Sequence, residues 1–165
     1  MNNLDLYKYN SKYFGEIWSK EYVMSRIPQL KDPHDYDMKY DNQYDLIYPK
    51  EMIKVEVKAT RLTSLNKRDD FFNPLPLSSD SDETFYGTFN RIKTRYADMF
   101  ILMVVWKDDM KFYLLNRKEI STFPHRTESQ GRGSPDEFKI SITNNTINDL
   151  EKYRITLVDI NKLFK

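Results

Sequence analysis

Near the start of the chain, apolar side chains recur at helical intervals. Phe14, Ile17, Trp18, Tyr22 and Met24 share one side of a helix predicted over 11–29, with Ser11 as its cap and Pro28 as its stop. Residues 30–43 are polar and carry no period. YDLIY over 44–48, a turn at Pro49–Lys50–Glu51 and MIKVEVKAT over 52–60 then read as a hairpin. In its second strand Ile53, Val55, Val57 and Ala59 point one way, and Lys54, Glu56, Lys58 and Thr60 the other. Residues 61–80 read as loop. Phe85, Phe89, Ile92 and Tyr96 return to helical spacing and predict a second helix over 81–96, capped by Ser81 or Asp82 and interrupted by Gly87. The continuous apolar run 99–106 predicts a strand covered on both faces. It turns at 107–110, comes back as KFYLLN over 111–116, and leads into a helical turn near 117–120. Residues 121–136 are irregular. A strand over 137–143 follows, then a helix capped by Asn144 or Asn145 with Ile147, Leu150 and Tyr153 inward, then the closing LVDINKLF. These elements predict one α/β domain over 1–165, a mixed central sheet flanked by helices.

Composition narrows the function mainly by exclusion. With 39% hydrophobic, 31% charged and 15% aromatic residues, and only seven Pro and four Gly, the sequence is that of a folded domain. It contains no cysteine, so a disulfide scaffold, a thiolate-bound zinc, an iron–sulfur cluster and a cysteine nucleophile are excluded together. The longest apolar run is eight residues, against the ~20 that a membrane helix needs, so no membrane association is expected. The opening MNNLDLYKYNSKYFGE has no signal-peptide core, and a cytoplasmic location follows as an expectation. Net charge is +1, from 26 basic and 25 acidic residues. Nucleic acid is then not held by overall charge; an acidic site with basic residues around it stays open.

Such a site is suggested by the hairpin. Glu56 and Lys58 are two residues apart on one strand and share a face, and pairing of 44–48 with 52–60 brings Asp45 beside them. Two close carboxylates repel and are best reconciled by a divalent cation between them; oxygen ligands without nearby Cys or His favour Mg²⁺ or Mn²⁺. A lysine in the same space can steer a phosphate, stabilise developing charge or help deprotonate water. The triplet (D/E)-x-K alone is common: it occurs at Asp37, Glu56, Asp109 and Glu137. Only at Glu56 does it lie on a strand with an apolar alternate face and an upstream strand-borne Asp. The alternative for these residues is a hairpin with one solvated face. On the first helix, at about 100° per residue, Glu21 falls inside the apolar stripe and Glu16 on the wet side. A core-directed carboxylate needs a partner, so Glu21 is expected to face the hairpin; the alternative is a helix near the domain edge, where Glu21 finds a Lys or Tyr.

Asp45 followed by Glu56-Val57-Lys58 resembles the motif of the PD-(D/E)xK nucleases, with Tyr44 where the family's proline stands. The N-terminal helix with Glu21 and the segment 89–106, similar to the family's helix and following core strand, extend the resemblance over roughly 11–116. It implies a restriction-endonuclease-like fold, with Asp45, Glu56 and the carbonyl of Val57 binding Mg²⁺ (Mn²⁺ substituting), and Lys58 and Glu21 completing the catalytic set. Small size makes the chain most similar to a type II restriction endonuclease, a homodimer cutting a short palindrome in double-stranded DNA to 5′-phosphate ends and encoded beside a DNA methyltransferase. A structure-specific or repair nuclease of the same fold, and a non-catalytic DNA-binding or protein-interaction domain, are the alternatives. By charge and placement, Arg61, Lys67 and Arg68 and the series Arg91, Lys93 and Arg95 are candidate phosphate contacts. Arg126 and Arg132, in a loop with His125, Gly131 and Gly133, are candidates for reaching base edges.

Overall fold

The computed structural model describes residues 3–69, 73–124, 126–127 and 137–165. Their strands are β1 (Leu46–Tyr48), β2 (Ile53–Arg61), β3 (Thr63–Asp69), β4 (Asn73–Pro76), β5 (Phe85–Lys93), β6 (Met99–Val105), β7 (Met110–Asn116), β8 (Arg126–Thr127), β9 (Glu137–Ile142) and β10 (Arg154–Ile155). One sheet has the order β1-β2-β6-β7-β10 and is mixed, since β2 and β6 run parallel while its other pairs are antiparallel. The second, β4-β3-β5-β9-β8, is antiparallel throughout. The chain is therefore mixed α/β. Among the described residues no helix is long and apolar enough to cross a membrane.

The predicted hairpin is present, with Leu46 opposite Val55 and Tyr48 opposite Ile53. Its alternation decides the packing. Val55 and Val57, with Ile101 and Met103 of β6, face α1 (Ser19–Arg26) and α4 (Leu157–Leu163) through Val23, Ile27, Ile160 and Phe164. The opposite face of β6, Phe100, Leu102 and Val104, packs on Phe85, Phe89 and Ile92 of β5 and Phe138, Ile140 and Ile142 of β9. Register places Glu56 beside Phe100, Lys58 beside Leu102 and Thr60 beside Val104, so the polar row of β2 lies between the two sheets. The two-sided burial of β6 is what its uninterrupted apolar run predicts. The short helices α2 (Arg117–Thr122) and α3 (Thr146–Leu150) and the return strand β7 also stand where the sequence places them.

Two predictions fail. The segment 61–80, read as loop, contains β3 and β4, which pair through backbone with little apolar alternation to announce them. The helix predicted over 81–96 is β5. Its buried residues alternate, Phe85, Gly87 and Phe89, until a bulge inserts Asn90 and Arg91 before buried Ile92. One extra residue turns a strand period into an apparent i, i+3 spacing. Gly87 permits β5 to cross β2 at backbone contact: a Cβ there would lie 2.6 Å from Leu62 Cδ2 and 2.7 Å from Thr60 Oγ1. The Thr88 N–H donates to Thr60 Oγ1 at the same crossing, 2.8 Å.

The first helix also contains an insertion. Residues Tyr13–Trp18 form a π-helical turn that runs into α1, and the Ser19 N–H donates to the Phe14 carbonyl, five residues back. The buried stripe is consequently Phe14, Ser19, Val23 and Ile27, while Ile17 is 44% exposed. The cap is Asn10, whose Oδ1 accepts from the Tyr13 N–H at 2.8 Å, in place of Ser11. The helix stops at Arg26, with Ile27 outside it and Pro28 next, as the proline predicts.

Candidate active site

Asp45 brackets Glu56. Its N–H donates to the Val55 carbonyl at 3.1 Å and its Oδ2 accepts from the Val57 N–H at 2.7 Å. Backbone and side chain of one residue thus bind on both sides of the glutamate, which fixes where the aspartate stands. The backbone leading into Asp45 is held by tyrosines. Tyr44, only 2% exposed, donates its hydroxyl to Asp37 Oδ2 at 2.7 Å, and the Tyr40 hydroxyl donates to the Tyr44 carbonyl at 2.9 Å. Lys54 closes this cluster by pairing with Asp37 at 3.3 Å and lying over the Tyr44 ring.

Lys58 Nζ lies 2.9 Å from Glu56 Oε1, with side chains 14% and 2% exposed. A carboxylate so shielded is disfavoured as an anion. Burial pushes the Glu56 carboxyl up to about 7, Lys58 opposes that shift, Asp45 reinforces it and Lys93 opposes it. For Lys58, burial pulls down, but the charges of Glu56, Asp45 and Glu16 outweigh it and hold the ammonium above the ordinary lysine range. Glu56 and Lys58 therefore share a buried hydrogen bond beneath a second carboxylate.

Glu21 does not join this group. It is exposed on α1, because the inserted π turn rotates everything beyond Trp18 away from the regular reading. Glu16, assigned to the wet side, is exposed, but it lines the groove that Lys58 also lines. No pattern at 100° per residue could have found it. The clue available in the sequence was Ser19, a polar residue at the position the true apolar stripe passes through. Among the described residues, no three His, Cys, Asp or Glu side chains cluster in one place.

The proposed DNA contacts fall into three groups. Arg61 is committed to the fold: Nη1 donates to the carbonyls of Leu6 and Tyr9 at 2.8 and 2.7 Å, and the guanidinium lies 4.7 Å over the Phe14 ring. It fastens the N-terminal segment, which Tyr7 also pins by donating to the carbonyls of Leu62 and Val105. Lys93 belongs to a strand and not a helix; its Nζ donates to the Asn42 carbonyl at 3.2 Å and its charge reaches Glu56. The side chains of Lys67, Arg68 and Arg126, together with His125, Gly131, Arg132 and Gly133, lie outside the described residues.

A groove of about 1090 Å³ begins at Lys58. Its floor is the end of β2 from Lys58 to Arg61 with Thr63 of β3, one wall the N-terminal segment and the π turn, the other Tyr86 to Arg91 of β5. Comparison with protein-family models, with curated proteins and with solved structures finds no match for this chain.

Proposed function

We propose that this chain is a Mg²⁺-dependent DNA endonuclease of the PD-(D/E)xK type with a restriction-endonuclease-like fold. The observation that carries the reading is the bracketing of Glu56 by Asp45 together with the Glu56–Lys58 pair at 2.9 Å. The donor set fits a hard cation: two carboxylates joined across one hairpin, the Val57 carbonyl between Glu56 and Lys58, and no sulfur or imidazole among them. Asp45, Glu56 and Val57 would hold Mg²⁺, with Mn²⁺ able to replace it. Bound there, the cation supplies Lewis-acid polarisation of a phosphoryl oxygen and an acidified water.

The chain's own residues do the rest. Asp45 is held by the Val57 N–H through Oδ2, which leaves Oδ1 to bind. Glu56, with its carboxyl raised to about 7, would have to be deprotonated to serve as a ligand, and is so in good part at neutral pH. Lys58, bonded to Glu56, also lines the groove, where its ammonium would stabilise negative charge building on phosphorus-bound oxygens. Glu16, which also lines the groove, adds a smaller charge to those of Glu56 and Asp45 that hold that ammonium protonated.

Cleavage of mixed-sequence linear DNA and supercoiled plasmid in Mg²⁺, with EDTA as control, tests this reading. Discrete fragments with 5′-phosphate ends support it, and intact DNA under all divalent conditions overturns it. Linearised plasmid without accumulating nicks fits a homodimer acting on both strands in a restriction system beside a methyltransferase. Nicked circles favour the structure-specific or repair alternative.

A further inference from the structure

The groove beside Lys58 carries more than the hairpin requires. Lys8, Lys12, Lys58, Arg61 and Arg91 line it against one acidic residue, Glu16, in a chain whose net charge is only +1. Three of these cations are already used, Lys8 on Asp5, Lys58 on Glu56 and Arg61 on the N-terminal carbonyls. Arg91 is not: it is exposed, and its side chain makes no ion pair or hydrogen bond with the described residues. Its backbone is also strained, as it is at only two other non-glycine described residues, Asn42 and Met52. Arg91 sits in the β5 bulge at φ 52°, in the left-handed region where a glycine would be the relaxed choice. Gly87, four residues earlier, keeps extended backbone, so the glycine of this strand stands at the close crossing and an arginine stands at the strained position. Without the bulge, alternation would turn one of these two side chains into the core; with it, Asn90 and Arg91 both project into the groove.

We propose that the groove is a binding track for the phosphodiester backbone of one DNA strand, and that Arg91 is its phosphate-gripping residue, leading that strand toward Lys58. This rests on the nuclease reading for its direction but not for its binding chemistry. A guanidinium suits a phosphate because two parallel N–H donors meet two oxygens. The rings of Tyr9 and Tyr86 on the same walls offer apolar surface to bases on that strand. Left-handed strain retained at an exposed arginine with no partner among the described residues is the expected signature of a residue kept for a ligand.

The test uses the full chain and a fluorescein-labelled mixed-sequence DNA oligonucleotide, single-stranded and annealed, with Ca²⁺ in place of Mg²⁺. Arg91→Ala is expected to weaken binding about tenfold and to lower the salt slope by about one. Arg91→Gly is expected to lose the same affinity while melting no lower than wild type, which a merely structural arginine would not do. Lys118→Ala, on exposed α2 away from the groove, is expected to bind as wild type. Binding of either DNA form supports the track, and the tighter form identifies which supplies the strand. Unchanged affinity and salt slope in both Arg91 variants, or no binding by wild type, overturns it. Loss of binding in the Arg91 variants while wild type cleaves nothing in Mg²⁺ upholds the track and removes the nuclease reading instead.

Discussion

From Ile53 to Thr60 the β2 strand alternates without interruption, whereas the first helix and β5 each contain one inserted residue. The uninterrupted segment holds Glu56 and Lys58 in a fixed relation to Asp45. The interrupted ones form the two walls of the groove that opens at Lys58. Regular backbone sets the distance between reacting groups, since strand pleat alone aims side chains two apart along the same direction. The β5 insertion re-aims a side chain that regular backbone would bury, so that Asn90 and Arg91 both line one wall, while Glu16 of the π turn lines the other. The site is thus built on rigid ladder and reached through irregular backbone, and the two kinds of region should respond differently to mutation.

Changes in the hairpin are expected to have the largest effect on activity. Asp45→Asn, which keeps an acceptor for the Val57 N–H, Glu56→Gln and Lys58→Met are each expected to lower DNA cleavage by about 10²–10³-fold. Their melting temperatures should stay within about 5 °C of wild type. Unfolding of all three would mean that the hairpin is structural and would erase the contrast with the walls.

The crossing of the sheets should respond in the opposite way, losing stability before chemistry. Gly87→Ala places a Cβ 2.6 Å from Leu62 Cδ2 and 3.2 Å from the Arg61 carbonyl. Overpacking of this kind destabilises by about 1–3 kcal/mol, read by denaturant or thermal unfolding. Unchanged stability would show that β5 does not press on β2.

Glu56 should also leave a mark on the pH dependence of stability. Its carboxyl is raised from 4.5 to about 7 in the folded chain, so the native state takes up a proton that the unfolded state releases over that interval. Its favourable contribution is fully present below about 4.5 and is lost as pH rises through about 7. The difference in unfolding free energy between wild type and Glu56→Gln is therefore expected to fall across this window. A flat difference would mean that the buried pair is ionic throughout.

The smallest effect distinguishes the two helix carboxylates. Glu16→Gln removes one charge that holds Lys58 protonated and is expected to shift the alkaline limb of the cleavage profile downward, whereas Glu21→Gln is expected to leave the profile unchanged. A shift produced by Glu21 alone would restore the regular-helix reading.

This contrast also explains what could be read from the residues. Asp45, Glu56 and Lys58 were legible because period-two alternation survives intact in β2 and because Val55 and Val57 need a core on one side only. The β6 run announced burial on both faces by having no polar position. The strand β5 was not legible: with one residue inserted between Phe89 and Ile92, Phe85, Phe89 and Ile92 take the spacing of a helix. Glu21 was misplaced for the same reason, since the Ser19-to-Phe14 bond adds a residue to the turn before it. In both cases a single extra residue, invisible in composition, moved a wall of the groove.

The central claim is that Asp45 and Glu56 act together as one divalent-cation site, and calorimetric titration of Mn²⁺ into wild type and Glu56→Gln at pH 8 and pH 6 tests it directly. One ion per chain is expected, held about tenfold more weakly at pH 6 because a proton must leave Glu56 first, with no comparable binding in Glu56→Gln. Equal affinity at both pH values with full binding retained in Glu56→Gln, or no binding to wild type at pH 8, would contradict it.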